Sequence, residues 1–352
     1  MAGGFFMKYI TFAVPCFNSS SYMKRCIDSL LFGGSEVEII IIDDGSTDQT
    51  GQIADEYAAL YPDIIRTVHK ENGGHGSGVN LGLKLAQGIY YKVVDSDDWL
   101  DKAAYKELLN RIHSFVSPLC SDPLDIMPDL LICNYIYDHL EIHSQRVMRF
   151  DNVFPQNVLC TWNDIGHFSP SQYLVMHALV YKTKILHQCN INLPEHTFYV
   201  DNIFAYQPLP LVKTIYYMNI DLYHYYLGRE DQSVNENVLI ERIDQQILVT
   251  NLVSRCVDFN QVKKTYPKLV EYMKRNISIM LAISDIHLLL MQTDEAYQKR
   301  KYLWDGIKEY DKALYYHLKY STLCGWTYLP GKFAGKLTIG GYRIAKKIYK
   351  FQ

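Results

Sequence analysis

Alternation of short β-branched runs with helical periodicity constrains this chain more than any other feature. Residues 9–14 form an apolar run that ends at Pro15, and Ser19 to Ser21 offer N-caps for a helix with Tyr22, Cys26, Ile27 and Leu30 on one face. Residues 37–42 are β-branched apart from Glu38, which predicts a strand buried on both faces; the run stops at Asp43-Asp44-Gly45-Ser46. Ile53, Tyr57 and Leu60 mark a second helix, stopped by Pro62. A strand at 65–69, a glycine-rich loop, a helix through Leu81 and Leu85 closed by Gly88, and a strand at 89–94 complete the series. This βαβαβαβ order predicts an α/β fold, a doubly wound and mostly parallel sheet with ligands at the carboxyl ends of its strands.

The rhythm changes after about residue 115. Residues 130–137 and 141–150 read as paired strands, 198–205 as the opening of a helix, and 215–226 as a tyrosine-rich strand. Helical periodicity then dominates from 238 to 320, predicting a separate helical subdomain over 231–320. The last segment, 321–352, holds six basic and no acidic residues; with a net charge of -3 for the whole chain, residues 1–320 carry -9. Leu337, Ile344, Ile348 and Phe351 fall on one face of a helix there, so the segment is expected to be a basic amphipathic helix suited to an anionic membrane surface, to a protein surface or to a subunit contact.

The overall charge gives no basis for nucleic-acid binding. Eight cysteines without a C-x-x-C pair point to a reducing compartment. The longest apolar stretch, 277–291, is interrupted by Asp285 and His287 and is too short to span a bilayer. The expectation is a cytoplasmic protein, soluble or peripheral at the inner face of the plasma membrane, with homo-oligomerisation left open.

Two acidic groups stand where strands end: Asp43-Asp44, and Asp95-Ser96-Asp97-Asp98. Carboxylates crowded on one turn repel one another unless a cation or a set of donors offsets them, and Mg²⁺ or Mn²⁺ bridging a carboxylate and a diphosphate suits that chemistry. The alternative is that they cap a helix beginning near Leu100, which accounts for one aspartate and not for three. Between the two groups, residues 71–80 read Glu-Asn-Gly-Gly-His-Gly-Ser-Gly-Val-Asn, a loop whose small residues can turn backbone N–H groups toward a phosphate. It does not match G-x-G-x-x-G, which argues against a dinucleotide dehydrogenase.

Val14-Pro15-Cys16-Phe17-Asn18, Ile42-Asp43-Asp44-Gly45-Ser46-Thr47-Asp48, Glu71-Asn72-Gly73-Gly74 and Val94-Asp95-Ser96-Asp97-Asp98-Trp99-Leu100 resemble, in order and spacing, the motifs of bacterial family 2 glycosyltransferases. The resemblance implies a GT-A fold over about 1–230, with a nucleotide-sugar half at about 8–100 and an acceptor half at about 101–230. It also implies inversion at the anomeric carbon. Carried over, Asp44 contacts the uracil or ribose of a UDP-type donor, Pro15 and Asn18 belong to the first nucleotide-facing loop, and Gly74, Asn80 and Ser96 lie on the donor side. Asp95 and Asp97 match the DXD pair, Asp97 being the direct metal ligand. The family pattern ends Ala-Arg-Asn where this chain has Gly78-Val79-Asn80, which leaves the diphosphate to backbone donors of the loop or to Lys92.

The resemblance also implies a carboxylate that takes the acceptor's proton, at the start of a helix in the acceptor half. Residues 198–204 keep only Asp201 of the family's Glu-Asp pair, and Asp201 is therefore the expected base, its alternative role being a helix N-cap. His224 is a candidate metal ligand and Arg229 a candidate phosphate contact; a packed histidine and a surface ion pair are their alternatives. The function implied is metal-dependent transfer of a hexosyl or N-acetylhexosaminyl unit from a nucleotide sugar to a surface glycan or lipid-linked saccharide. The rivals are a nucleotidyltransferase and a non-catalytic nucleotide-sugar-binding partner of another transferase.

Overall fold

A computed structural model describes residues 7–116, 127–228, 236–329 and 332–349. The chain divides into two compact units, Met1–Gly228 and Arg229–Gln352.

The first unit opens with β1 (Ile10–Cys16), α1 (Met23–Leu31), β2 (Val37–Asp43), α2 (Thr50–Leu60), β3 (Ile65–His69), α3 (His75–Leu85) and β4 (Tyr90–Val93). All four strands run parallel, in the order β3-β2-β1-β4. The continuous apolar runs form strands because both of their faces are covered: Ile39, Ile40, Ile41 and Ile42 are all fully buried, each removal from water being worth roughly 2–3 kcal/mol. Glu38, a charge near the start of β2, is matched by the Thr11 hydroxyl at 2.6 Å and the Gln87 N–H at 2.9 Å.

Then follow β5 (Trp99–Leu100), α4 (Lys102–Val116), β6 (Leu130–His139), β7 (Ser144–Met148), β8 (Leu159–Cys160), β9 (Leu179–Lys182), α5 (Thr183–Cys189), α6 (Asp201–Tyr206) and β10 (Ile215–Leu227). Among the described residues they extend the sheet to ten strands, ordered β3-β2-β1-β4-β9-β6-β10-β5, with β7 on β6 and β8 on β10. β10 is parallel to β6, whereas β9 runs antiparallel to both β4 and β6. That reversal positions the site. Because β9 runs against β4, its leading turn at residues 176–178 lies beside the carboxyl end of β4, where the acidic turn begins.

Two local expectations are corrected and one alternative is set aside. α1 begins at Met23 with no side-chain cap; the Ser19 carbonyl accepts from the N–H groups of Tyr22 and Met23 instead. α3 ends at Leu85, and Gly88 is no C-cap: it lies where an added Cβ would stand 2.3 Å from the Thr11 nitrogen. The alternative role weighed for Asp95–Asp98 also falls: α4 begins at Lys102 and is capped by Asp101, whose carboxylate accepts from the Ala104 N–H at 2.8 Å.

The second unit consists, among the described residues, of α7 (Glu236–Glu241), α8 (Ile243–Arg255), α9 (Phe259–Thr265), α10 (Pro267–Met291), α11 (Asp294–Tyr310), α12 (Lys312–Ser321), α13 (Cys324–Thr327) and α14 (Lys332–Tyr349). No helix among the described residues is long and apolar enough to cross a membrane.

Candidate functional site

Parallel strands deliver their following loops to one edge, so the segments after β1, β2 and β4 meet there. Asn18, held at φ 50°, donates its N–H to the Ser46 hydroxyl at 3.0 Å and accepts from the Thr47 N–H at 2.9 Å. The Ser19 N–H reaches the Thr50 hydroxyl at 2.7 Å, and its own hydroxyl pairs with that of Ser96 at 2.7 Å. Three loops far apart in sequence are thereby fixed against one another. Pro15 lies at the end of β1 against α3, where a Cβ on Gly78 would stand 3.1 Å from its ring.

Asp44 is only 3% exposed, and its carboxylate accepts from Lys70 Nζ at 2.7 Å and from the N–H groups of Gly73 at 3.0 Å and Gly74 at 2.7 Å. It organises the glycine loop from within. The helix that follows begins at His75, earlier than expected, so Gly76 and Gly78 are helical and only residues before His75 remain loop. Asn80 faces away from that loop, tying α3 to Asn192 and Leu193.

The acidic turn after β4 is supported from below. The Tyr223 hydroxyl donates to Asp98 Oδ2 at 2.6 Å and accepts from the Asp95 N–H at 3.1 Å, and the Tyr226 N–H donates to Asp98 Oδ1 at 2.8 Å. Burial, with Asp97 and Asp95 alongside, pushes the Asp98 carboxyl well above its ordinary range. Burial pushes the Asp95 carboxyl up, but His75, whose Nε2 lies at 2.8 Å, together with His177 and Lys92 holds it below its ordinary range. The Asp97 carbonyl accepts from Arg25, whose guanidinium lies 3.7 Å from the Trp99 ring centroid.

Among the described residues, Asp95, Asp98 and His177 bring donor atoms within 4.8 Å of one another, a grouping that could hold a metal ion. His177 lies between Tyr223 and Tyr225, 4.7 Å from each centroid, and its Nδ1 is buried without a hydrogen-bond partner. Burial lowers its pKa to about 4, leaving the imidazole neutral at pH 7 and able to donate a lone pair. Two carboxylates with one neutral imidazole suit a divalent cation such as Mn²⁺. Neither Asp97 nor His224 belongs to that group: His224 Nδ1 is paired with Asp138 at 2.8 Å and its ring is stacked on Trp99. Lys92 does not reach a diphosphate either, being fully buried with its ammonium 2.6 Å from the His177 carbonyl. Burial lowers its pKa to about 8.

Asp201 opens α6. The N-cap is Val200, and Asp201 stands one position inside the helix. Burial raises its pKa to about 6, with His75 pulling it down and Asp95 pushing it up, so the acidic turn, α3 and α6 share one electrostatic field. His75 and His177 were not singled out in the sequence. His75 sits inside the glycine run, but His177 carries no local signal, since only the reversed β9 brings it to the turn. Arg229 lies outside the described residues.

Residues 11–117 match the profile described as Glycosyl transferase family 2. The chain is 40% identical over 100 residues to the uncharacterized glycosyltransferase EpsJ of Bacillus subtilis, covering 28% of this chain and 29% of that protein. It is 25% identical over 226 residues to the glycosyltransferase GlyA of Streptococcus pneumoniae, covering 61% of this chain and 30% of that one. The matches thus span about a third of these relatives' length or less. Residues 1–349 of S. aureus TarS, solved in complex with UDP-GlcNAc, superpose with a TM-score of 0.66 at 19% identity, over 96% of this chain and 92% of that one. Residues 11–117, which carry the acidic turn and the Asp44-anchored loop, therefore form a domain that matches glycosyl transferase family 2, and the chain has the GT-A fold.

Proposed function

We propose that this chain is an inverting glycosyltransferase that requires Mg²⁺ or Mn²⁺ and moves a hexosyl or N-acetylhexosaminyl unit from a UDP-linked donor to a bacterial surface glycan or lipid-linked saccharide, at the cytoplasmic face of the membrane. The observation that carries this reading is the convergence of Asp95, Asp98 and His177 at the carboxyl end of β4, with Asp201, whose pKa burial raises to about 6, in the same electrostatic field. A general base works best when its pKa lies near the operating pH, and Asp201 is ionised at pH 7 while remaining basic enough to take a proton.

In the proposed reaction Asp201 accepts the proton of the acceptor hydroxyl as that oxygen attacks the anomeric carbon, and the nucleoside diphosphate leaves from the opposite side. Asp95, Asp98 and His177 would hold the cation, with Asp97 beside them. When bound, the cation neutralises charge that develops on the leaving diphosphate. Asp44 keeps the glycine loop in one conformation, and His75 keeps Asp95 ionised. The UDP-GlcNAc bound by TarS supports the choice of a UDP-linked donor.

A screen of nucleotide sugars for release of free nucleotide, with Mn²⁺ or with excess EDTA, tests the reading. The expected result is release from a UDP-sugar that EDTA abolishes. Undiminished release in EDTA would overturn the metal requirement, and tight UDP binding with no turnover of any nucleotide sugar would identify a non-catalytic binding partner instead.

A further inference from the structure

One face of α14 packs within the second unit. A Cβ on Gly335 would meet Leu289 at 3.1 Å, Ile339 is 9% exposed, and the Tyr342 hydroxyl donates to Glu236 at 2.8 Å. At 100° per residue these three positions share one side of the helix. Leu337 and Ile344 lie on the other side, each 62% exposed, with Gly340 and Gly341 bare between them. Lys336 and Arg343, one position before each, are exposed along the flank.

The segment before α14 repeats the arrangement. In α13, Cys324, Gly325 and Thr327 turn inward, whereas Leu323 is 85% and Trp326 70% exposed. Tyr320 is 72% exposed and Leu329 43%. Single exposed apolar residues are ordinary, but such a run flanked by cations and lacking any acidic residue is not.

We propose that this surface, Tyr320 to Leu329 together with the outer face of α14, docks the protein on an anionic phospholipid bilayer. Tryptophan, tyrosine and leucine at the headgroup boundary, with lysine and arginine beside them, suit an interfacial helix. A second copy of the chain fits poorly, because a two-fold contact would set a segment of +6 against itself. An acidic protein surface would answer the charges but not the protruding Leu323 and Trp326. The inference deepens the proposed function, since it brings the transferase to a lipid-linked acceptor, yet lipid binding is measured without turnover.

The test uses the full chain with vesicles of phosphatidylcholine alone or with about a third phosphatidylglycerol. The protein is expected to pellet with the anionic vesicles about tenfold more strongly, and to be released by about 1 M NaCl, where charges are screened beyond about 3 Å. Trp162 and Trp304 are fully buried and Trp99 lies outside this surface, stacked on His224 in the first unit, so a blue shift of tryptophan emission on binding reports mainly on Trp326. The double variants Leu323→Ser/Trp326→Ser and Lys336→Glu/Arg343→Glu alter only exposed side chains, and each is expected to lose binding by about tenfold or more with unchanged circular dichroism. Absence of anionic preference, undiminished binding by both variants, or a dimer in sedimentation that Trp326→Ser dissociates would overturn the proposal. Lost lipid binding with intact transfer to a soluble acceptor would support this surface and leave the proposed function standing; lipid binding without transfer would remove only the function.

Discussion

Asp201 and Asp44 are both acidic residues beside a glycine-rich helix start, yet their surroundings give them opposite tasks. Asp201 lies where burial raises its pKa to about 6. Transfer should therefore decline below about pH 6, as the carboxylate takes up a proton, and Asp201→Asn should lower kcat roughly 10²–10⁴-fold while leaving the calorimetric affinity for UDP unchanged. Loss of UDP binding would instead make the residue structural. Asp44 accepts from two backbone N–H groups and an ammonium, so Asp44→Ala leaves buried donors unmatched and should reduce unfolding stability by about 1–3 kcal/mol, with weakened UDP binding as a consequence. A variant of unchanged stability that loses UDP affinity would show a direct nucleotide contact. The motif that holds Asp44 is legible in the sequence, but partners such as Lys70 are a matter of loop geometry and leave no pattern in the chain. The same holds for His177, whose imidazole reaches Asp95 and Asp98 only through strand reversal.

At the scale of elements, β1 and β2 were legible because burial on both faces writes itself as nearly continuous apolar runs, β3 is shorter and largely unburied, and the parallel order of β1 to β4 followed from the helices between them. Helix ends were less legible. They depend on which backbone groups find partners, as Ser19, Gly88 and Asp101 show. The glycines of α3 also changed meaning: Gly82 is not a flexible point but a contact, since a Cβ there would stand 2.7 Å from Ala13 Cβ and 2.9 Å from the Tyr91 hydroxyl. Gly82→Ala gains about 1 kcal/mol in helix propensity but forces α3 away from β1, at a cost of about 1–3 kcal/mol or more. The clash should win, because β1 is a central strand and Ala13 cannot yield. A lowered urea midpoint for Gly82→Ala is the expected outcome, and a raised one would mean that α3 slides freely over the sheet.

For the whole molecule, the family motifs lie in the first unit, and the second offered helical periodicity, the basic segment 321–352 and, beside His287 in its longest apolar stretch, one acidic residue, Asp285. That residue is fully buried in α10, accepting from Trp304 Nε1 at 2.9 Å and the Thr327 hydroxyl at 2.7 Å, with Arg300 3.5 Å away. It joins α10 to α11 and α13, an arrangement no periodicity could reveal. Burial, despite Arg300, raises its pKa to about 6 from an ordinary 3.8. The sign follows from proton counting: between about pH 4 and 6 the folded chain holds more protons here than the unfolded one, so this group's contribution to stability falls as pH rises. Asp285→Asn keeps the shape and removes the titration. The stability difference between wild type and variant should therefore shift by roughly 2 kcal/mol in favour of the variant between pH 4 and pH 7, at about 1.36 kcal/mol per pKa unit. Paired denaturant unfolding curves measure it, and a difference independent of pH would mean that Arg300 keeps Asp285 ionised throughout, as a buried ion pair whose loss in Asp285→Ala should then cost about 3–5 kcal/mol at every pH.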